Sequence, residues 1–382
     1  MSTDTHSTAL DRIIEKVEKG QRLSAADGEL LMRPDVDLHL VGRLADEVRR
    51  RRCGPVVYYN LNAHLNPTNV CIYRCSLCAY SRDEDDPRAY IMSLDEILAR
   101  GQEAADAGCT ELHIVGGVHP SKSFEWYLEI VRKLHEAFPR LHLKAFTAIE
   151  IAWFAQATRR SVRVILEDLV RAGLGSLPGG GAEIFDPEIR TQICPRKADG
   201  RTWLGVHRVA HQMGLRSNAT MLYGHLEDIE HRIDHLVQLR ILQDVTGGFQ
   251  AFIPLAFHPE NTRLARLSRP TALMDLRIMA VSRLMLDNFD HVKAYWVSLG
   301  LETAQTALAY GADDLDGTVR RERIHHAAGA DSPESITTEQ LRRLISETGR
   351  QPVERDSLYR RVERQGRDWW VAESPPSAPA SQ

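Results

Sequence analysis

The sequence lacks any hydrophobic run long enough to cross a membrane, and its first residues lack the charged and then apolar pattern of a secretory signal. Neither sign of charge dominates, because 48 basic residues face 52 acidic ones and the net charge is -4. The short basic run at residues 49–52 is typical of a solvated helix end. We therefore expect a cytoplasmic protein with no membrane or nucleic-acid partner.

Cysteine is also scarce, since six in 382 residues argue against a disulfide-stabilised fold. Three of them nevertheless stand within eight residues, at Cys71, Cys75 and Cys78. Clustered thiolates bind zinc or iron–sulfur clusters, and no second Cys-x-x-Cys pair follows to complete a zinc site. Three thiolates around a four-iron cluster would leave one iron open to a small molecule; a zinc site with an external ligand stays an alternative. The remaining cysteines, which we expect to be buried and structural, are Cys53, Cys109 and Cys194.

Apolar residues recur at helical spacing up to about residue 51 and predict a helical preface over residues 1–55. Strands then alternate with helices, and the strands are expected at residues 56–61, 111–115, 142–147, 175–177, 216–221, 249–254, 292–297 and near 312–313. This alternation predicts an α/β fold with a (β/α)8 TIM-type barrel over residues 56–330. Residues 331–372 are expected to form a short C-terminal helix and strand extension packed on the barrel. Residues 373–382, rich in Pro and Ser, are expected to be disordered.

The carboxyl ends of the strands matter most, because barrel enzymes carry their chemistry there. Gly116 and Gly117 follow the second strand and would let a ligand approach the backbone closely, although a tight turn is the alternative. Glu150 and Glu183 can accept hydrogen bonds from hydroxyl or ammonium groups, or can stabilise a helix start instead. Further candidates for contacts to an anionic substrate, each more often structural when taken singly, are His64, His119, Asn218, His225, His258 and Asp313.

The cysteine spacing resembles the signature of the radical S-adenosylmethionine enzymes. Within that superfamily, a series of strand-end segments resembles the aminofutalosine synthases; these segments are residues 64–71, 113–120, 144–150, 177–183, 218–225, 249–261 and 311–317. The resemblance implies that Cys71, Cys75 and Cys78 ligate a 4Fe-4S cluster whose open iron is chelated by S-adenosylmethionine. It also implies S-adenosylmethionine contacts from Tyr80, Gly116, Gly117, Glu150 and Glu183. One departure is Leu77, which stands where many of these enzymes have an aromatic residue, so adenine is expected to pack on Leu77 or near Tyr80.

The resemblance further implies a reaction. After reductive cleavage of S-adenosylmethionine, the 5′-deoxyadenosyl radical adds to the vinyl carbon of 3-[(1-carboxyvinyl)oxy]benzoate. Aryl migration and loss of bicarbonate then give aminofutalosine for menaquinone synthesis, with an electron donor such as flavodoxin or ferredoxin. The alternatives are the related dehypoxanthine futalosine cyclase, the less similar deazaflavin-forming synthases, a zinc-stabilised binding protein, and an iron–sulfur electron carrier, although carriers usually use four cysteines per cluster.

Overall fold

The computed structural model describes residues 3–372, so the predicted disordered tail lies outside the described residues. Three helices come first: α1 (Thr3–Glu18), α2 (Ala25–Met32) and α3 (Leu38–Cys53). Ser24 and Asp27 form a capping box at the start of α2. Gly54, with φ +58, ends α3 and turns the chain into the first strand.

Parallel strands form a barrel wall: β1 (Val56–Asn60), β2 (Asn62–Leu65), β3 (Glu111–Ile114), β4 (His142–Ala145), β5 (Leu174–Leu177), β6 (Arg216–Tyr223), β7 (Phe249–Ala256), β8 (His291–Val292) and β9 (Asp314–Gly317). Strands β2 to β8 form one seven-stranded parallel sheet in chain order. Because β1 runs into β2, these two strands occupy one position of the wall. β9 closes the circle by pairing with β1, while Lys293 bridges to Asp314 and Ala63 bridges to Arg320. The predicted (β/α)8 barrel is confirmed.

The outer layer consists of α4 (Leu94–Asp106), α5 (Phe124–Ala137), α6 (Ala148–Thr158), α7 (Val162–Arg171), α8 (Pro187–Ile193), α9 (Gly200–Gln212), α10 (Ile229–Thr246), α11 (Ala272–Met285), α12 (Trp296–Leu299), α13 (Leu301–Ala307) and α14 (Ile324–Ala327). Each longer helix turns an apolar stripe inward; α7, for example, buries Ile165, Leu166 and Leu169. No helix within residues 3–372 has the length and apolar character of a membrane span.

Two strand predictions near the end of the barrel were wrong in their boundaries. The strand expected at residues 292–297 ends at Val292, and residues from Trp296 form α12 instead. The Trp296 indole donates a 2.8 Å hydrogen bond to the carbonyl of Gly317, which draws the chain inward over the barrel. The strand expected near residues 312–313 begins at Asp314.

The helical preface packs on the α10 and α11 side of the barrel. The guanidinium of Arg277 on α11 donates to the carbonyls of Leu31 and Val36, at 2.9 and 2.8 Å. Arg240 on α10 donates to the carbonyl of Leu23 at 2.9 Å. The preface is therefore joined to the barrel by buried polar contacts.

The C-terminal region adds α15 (Thr338–Glu347), β10 (Gln351–Glu354) and a hairpin, β11 (Val362–Gln365) and β12 (Asp368–Val371). β10 pairs in parallel with β1. Residues 355–359, here called the plug, then enter the amino-terminal mouth of the barrel. Arg355 pairs with Asp314 at 2.6 Å, and Ser357 donates to Glu111, also at 2.6 Å. Tyr359 stacks on His291 with 3.7 Å between ring centroids. The plug blocks this end of the barrel, which leaves the carboxyl end as the route for a substrate.

Candidate active site

The cysteine loop lies at the carboxyl end of β2 and is fixed by backbone hydrogen bonds to its neighbours. The amide of Ile72 donates to the carbonyl of Val118 beyond β3, at 2.9 Å, and the amide of Ser76 donates to the carbonyl of Ile193 at 2.8 Å. Arg74 has a positive φ of 47°, which turns the chain between the first two cysteines. The loop is thus held in place by segments that follow β3 and β5.

Cys71, Cys75 and Cys78 are free thiols in the loop that follows β2. Cys75 and Cys78 line a cavity of about 480 Å³, and the charge of Cys78 acts on both other thiols. Burial raises the pKa of Cys75 to about 12, against the opposing effect of Lys197. Burial also raises the pKa of Cys71. At least two of the three cysteines would therefore have to release the thiol proton when they bind a metal.

The spacing of these thiols is wider than that of a closed zinc site. A tetrahedral zinc ion, with Zn–S bonds of about 2.3 Å, holds its sulfurs roughly 4 Å apart. Within residues 3–372, the set of ligand atoms that all lie within 4.8 Å is a different one, formed by Cys53, His291 and Asp313. The sulfur atoms of Cys71, Cys75 and Cys78 therefore do not all lie within 4.8 Å of one another.

Gly116 and Gly117 lie directly against the cysteine loop. A Cβ atom added at Gly117 would lie 2.0 Å from the carbonyl oxygen of Val70 and 3.1 Å from the Cβ of Cys71. One added at Gly116 would lie 2.9 Å from the carbonyl oxygen of Thr68. The glycine pair therefore serves the close packing of the loop, whatever contact it also makes with a ligand.

Glu150 lies in the first turn of α6, the helix after β4, where it accepts a 2.6 Å hydrogen bond from the amide of Thr147 in a capping box. Burial raises the pKa of Glu150 to about 7, although the amides of Thr147 and Gly116 oppose this rise. Glu150 thus stabilises a helix start, which was the alternative role given for it from the sequence. It is also a buried carboxyl group beside Gly116.

Glu183 forms a buried ion pair with Lys197. Burial alone would raise the pKa of Glu183, but Lys197 outweighs it and holds that pKa below its usual value. The pKa of Lys197 is raised well above its usual value despite burial, because Glu183, Cys75 and Cys194 surround it. Sequence reasoning missed Lys197, whose position three residues after a cysteine in a loop gave no sign of burial.

Tyr80 and the predicted histidines occupy different environments. Tyr80 is buried, and its hydroxyl bonds to that of Tyr90, which donates to the carbonyl of Asn66. His64 lies inside the barrel with its ring 4.6 Å from that of His113, a residue that was not predicted. Burial lowers the pKa of both histidines, so both are neutral at pH 7.

Another two of the predicted polar residues are His258, in the loop after β7, and Asn218, on β6. His258 bonds to the carbonyl of Ser298 through Nε2 at 2.8 Å, while its buried Nδ1 has no partner within residues 3–372. The Oδ1 atom of Asn218 on β6 is likewise buried and unpaired in that part of the chain. Two buried polar atoms without partners are consistent with a ligand site nearby.

Three predicted residues lie apart from this group. The ring of His119 accepts a hydrogen bond from the amide of Ser121, on the outer side near Glu84. His225 stabilises its own turn, with its ring bonded to the carbonyl of Leu222 and the amide of Leu226.

The third, Asp313, lies just before β9 at the amino-terminal mouth. There it pairs with the buried Arg283 and with His291. The structure places Asp313 beside Cys53, and not beside the three motif cysteines.

Comparisons with known proteins identify both halves of the chain. Residues 65–239 match the radical SAM superfamily, and residues 246–366 match the CofH/MqnC C-terminal region. The chain is 46% identical to the aminodeoxyfutalosine synthase of Thermus thermophilus, over 92% of this chain and 95% of that protein. It is 44% identical to the enzyme of that name from Streptomyces coelicolor, over 90% of this chain and 92% of the relative.

More distant relatives share the architecture. The 5-amino-6-(D-ribitylamino)uracil–L-tyrosine 4-hydroxyphenyl transferase of Methanopyrus kandleri is 39% identical over 91% of this chain and 94% of that protein. Among solved structures, methylornithine synthase superposes with a TM-score of 0.72 at 19% identity, covering 89% of this chain and 97% of that one. At that identity the likeness concerns the fold alone.

Proposed function

Because the chain belongs to the aminodeoxyfutalosine synthase family of radical S-adenosylmethionine enzymes, we propose that it joins the 5′-deoxyadenosyl group to 3-[(1-carboxyvinyl)oxy]benzoate, giving 6-amino-6-deoxyfutalosine, methionine and bicarbonate. The superfamily implies a 4Fe-4S cluster, S-adenosylmethionine, a small-molecule substrate and a reductant. The observation that carries the proposal is the trio of widely spaced thiols at the open mouth of a barrel whose other end is plugged.

Cys71, Cys75 and Cys78 would hold the cluster, leaving its fourth iron for S-adenosylmethionine. When bound and reduced, the cluster supplies the electron that cleaves the sulfonium. The protein contributes a rigid loop, because Gly117 packs against Val70 without space for a side chain. We expect a small electron-transfer protein such as flavodoxin or ferredoxin to approach the cavity beside Cys78, which is lined by Arg74, Arg82 and Arg263.

The ion pair of Lys197 and Glu183 suits the methionine end of S-adenosylmethionine. That end carries an ammonium and a carboxylate group, and a buried Lys–Glu pair offers a partner for each. Lys197 is close enough to Cys75 for their charges to interact, so the pair lies next to the cluster ligands. Glu150 and the amides of Gly116 and Gly117 are the further polar groups proposed for this end, and Tyr80 with Leu77 is proposed for adenine.

The substrate would lie deeper in the barrel, where the walls exclude water from the radical. His64, His258 and Asn218 are the predicted residues that we retain for substrate contact. His64 is neutral and can donate one N–H without bringing a charge into the interior. We propose His119 and His225 as residues that shape loops, since their rings are bonded to their own turns.

Anaerobic turnover tests the proposal. The reconstituted, reduced protein is incubated with S-adenosylmethionine and 3-[(1-carboxyvinyl)oxy]benzoate, and the products are identified by mass spectrometry. A decarboxylated adenosyl adduct with one methionine per adduct is the expected result. Free 5′-deoxyadenosine without adduct would move the assignment to a relative such as the futalosine cyclase. A reaction with tyrosine and the ribitylaminouracil would place the chain with the transferase relatives.

A further inference from the structure

The barrel interior contains a lysine that is not closely hydrogen-bonded. Lys293 follows β8 directly, and its side chain is only 3% exposed. Its ammonium lies 3.6 Å from Oδ2 of Asp316, which is beyond hydrogen-bond length. The Lys293 ammonium donates no hydrogen bond to any acceptor within residues 3–372. By contrast, the buried Lys144 contacts Glu111 at 2.5 Å, and Lys197 contacts Glu183.

The side chain of Lys293 points into the barrel. Val292 pairs with Phe252, so Lys293 is level with Ile253 of β7, whose partner on β6 is Thr220. The side-chain amide of Asn62 on β2 donates a 3.1 Å hydrogen bond to Oδ1 of Asp316 on β9, and Lys293 and Asp316 belong to neighbouring strands of the wall. Lys293 also acts across the barrel on Glu111 of β3. Burial alone would raise the pKa of Glu111, yet that pKa lies well below its usual value because Lys144 and Lys293 face it.

Two partly buried aliphatic side chains lie on β7, the strand that pairs with β8. Ile253 and Leu255 alternate along β7 toward the interior and are only partly buried, although they belong to a barrel strand. His113 on β3 is likewise partly buried, and its ring lies beside that of His64. An aromatic ring bound above Lys293 would meet these aliphatic side chains and neutral imidazoles.

We propose that Lys293 binds the ring carboxylate of the aromatic substrate, an inference that rests on the proposed function. The vinyl carbon must face the adenosyl group near the cysteine loop, so the carboxylate on the far side of the ring points down the barrel. A carboxylate buried there needs a cation. Lys293 can turn from Asp316 to the ligand, because the Asp316 carboxylate keeps its 3.1 Å hydrogen bond from the side-chain amide of Asn62.

The test compares two ligands on the cluster-loaded, unreduced protein in the presence of S-adenosylmethionine. Calorimetry gives the Kd of 3-[(1-carboxyvinyl)oxy]benzoate and of 2-phenoxyacrylate, which lacks only the ring carboxylate. Wild-type protein should prefer the benzoate by about 10- to 100-fold, the usual effect of one hydrogen bond to a charged group. Lys293→Met should remove this preference by weakening the benzoate alone. Lys133→Met, at an exposed lysine of α5, should leave both Kd values unchanged.

Each outcome either supports or contradicts the proposed contact between Lys293 and the ring carboxylate. Equal affinity of the two ligands for wild-type protein, or an unchanged preference in Lys293→Met, would overturn the inference. Equal weakening of both ligands would assign Lys293 a structural role. If Lys293→Met does not fold, Lys293→Gln, which keeps a hydrogen-bond donor but no charge, is measured in its place. Wild-type turnover without adduct would show that the proposed function itself fails, and this is established before any variant is compared.

Discussion

Replacing Gly117 by alanine adds one methyl group at the point where the end of β3 meets the cysteine loop. The new Cβ would lie 2.0 Å from the carbonyl oxygen of Val70 and 2.6 Å from its carbonyl carbon. Non-bonded atoms prefer separations of about 3.5 Å, so the backbone of Val70 must recede by roughly 1.5 Å. Val70 immediately precedes Cys71, and the first proposed ligand must move with it. Forcing such a methyl group into a packed site costs about 1–3 kcal/mol.

The expected result is a folded protein with impaired cluster binding. Iron and sulfide per chain after anaerobic reconstitution should fall well below the wild-type values, and the Kd for S-adenosylmethionine should rise. Gly205→Ala is the matched control, because a Cβ there meets no atom within 4 Å and the residue lies within α9. That control should stabilise the protein by about 0.5–1 kcal/mol.

Thermal unfolding of the unloaded proteins separates a damaged fold from a displaced loop. Full iron content and unchanged S-adenosylmethionine affinity in Gly117→Ala would refute the reasoning, because the loop would then have absorbed the clash without consequence. Equal loss of iron in Gly205→Ala would show that the assay reports general damage.

Three further predictions concern the thiols, a buried acid and the plug. Alanine at any motif cysteine should abolish iron loading and adduct formation, whereas Cys194→Ala, at the buried thiol near Lys197, should retain both; equal loss would contradict the ligand assignment. Because burial raises the pKa of Glu150 from 4.5 to about 7, the fold favours its protonated form. The free energy of unfolding should therefore fall by about 3 kcal/mol as pH rises through this window. Glu150→Gln, which keeps the cap, should flatten that slope in urea titrations between pH 5 and 8. Arg355→Met should cost about 3–5 kcal/mol in urea unfolding by removing the ion-pair partner of the buried Asp314, while Arg343→Met, in an exposed pair with Glu347 on α15, should cost less than about 1 kcal/mol.

The barrel could be predicted because the sequence patterns that indicate its strands and helices are local. Alternating strand and helix patterns, with turn residues between them, can be recognised in short stretches of the sequence. The capping box of Ser93 and Glu96, which begins α4, is a local pattern of the same kind. The cysteine trio was equally visible because its members are neighbours in sequence. The closure of the barrel could not be predicted, because β1 pairs with β9 and β10, which lie far along the sequence.

The interior of the barrel was harder to predict because a strand reverses its faces with a shift of one residue. Lys197, Lys293 and His113 become site candidates only when the register shows that they point inward or lie next to a thiol. Asp313 shows the opposite error. The predicted strand ended at this residue, whereas the observed strand begins one residue later, which moves Asp313 from the expected catalytic mouth to the other end of the barrel.

The plug has a consequence for how the chain reaches its native state. Val56 pairs with Gln351 and Tyr58 pairs with Asp314, so the first strand of the wall depends on segments synthesised far later. Contacts between such distant residues carry a large loop-closure entropy and form slowly. Until they form, Glu111 and Lys144 line an open, wet channel in which their ion pair is weak. Sealing of this channel should therefore be a late folding event, and a nascent or stressed chain should expose this end of the barrel first.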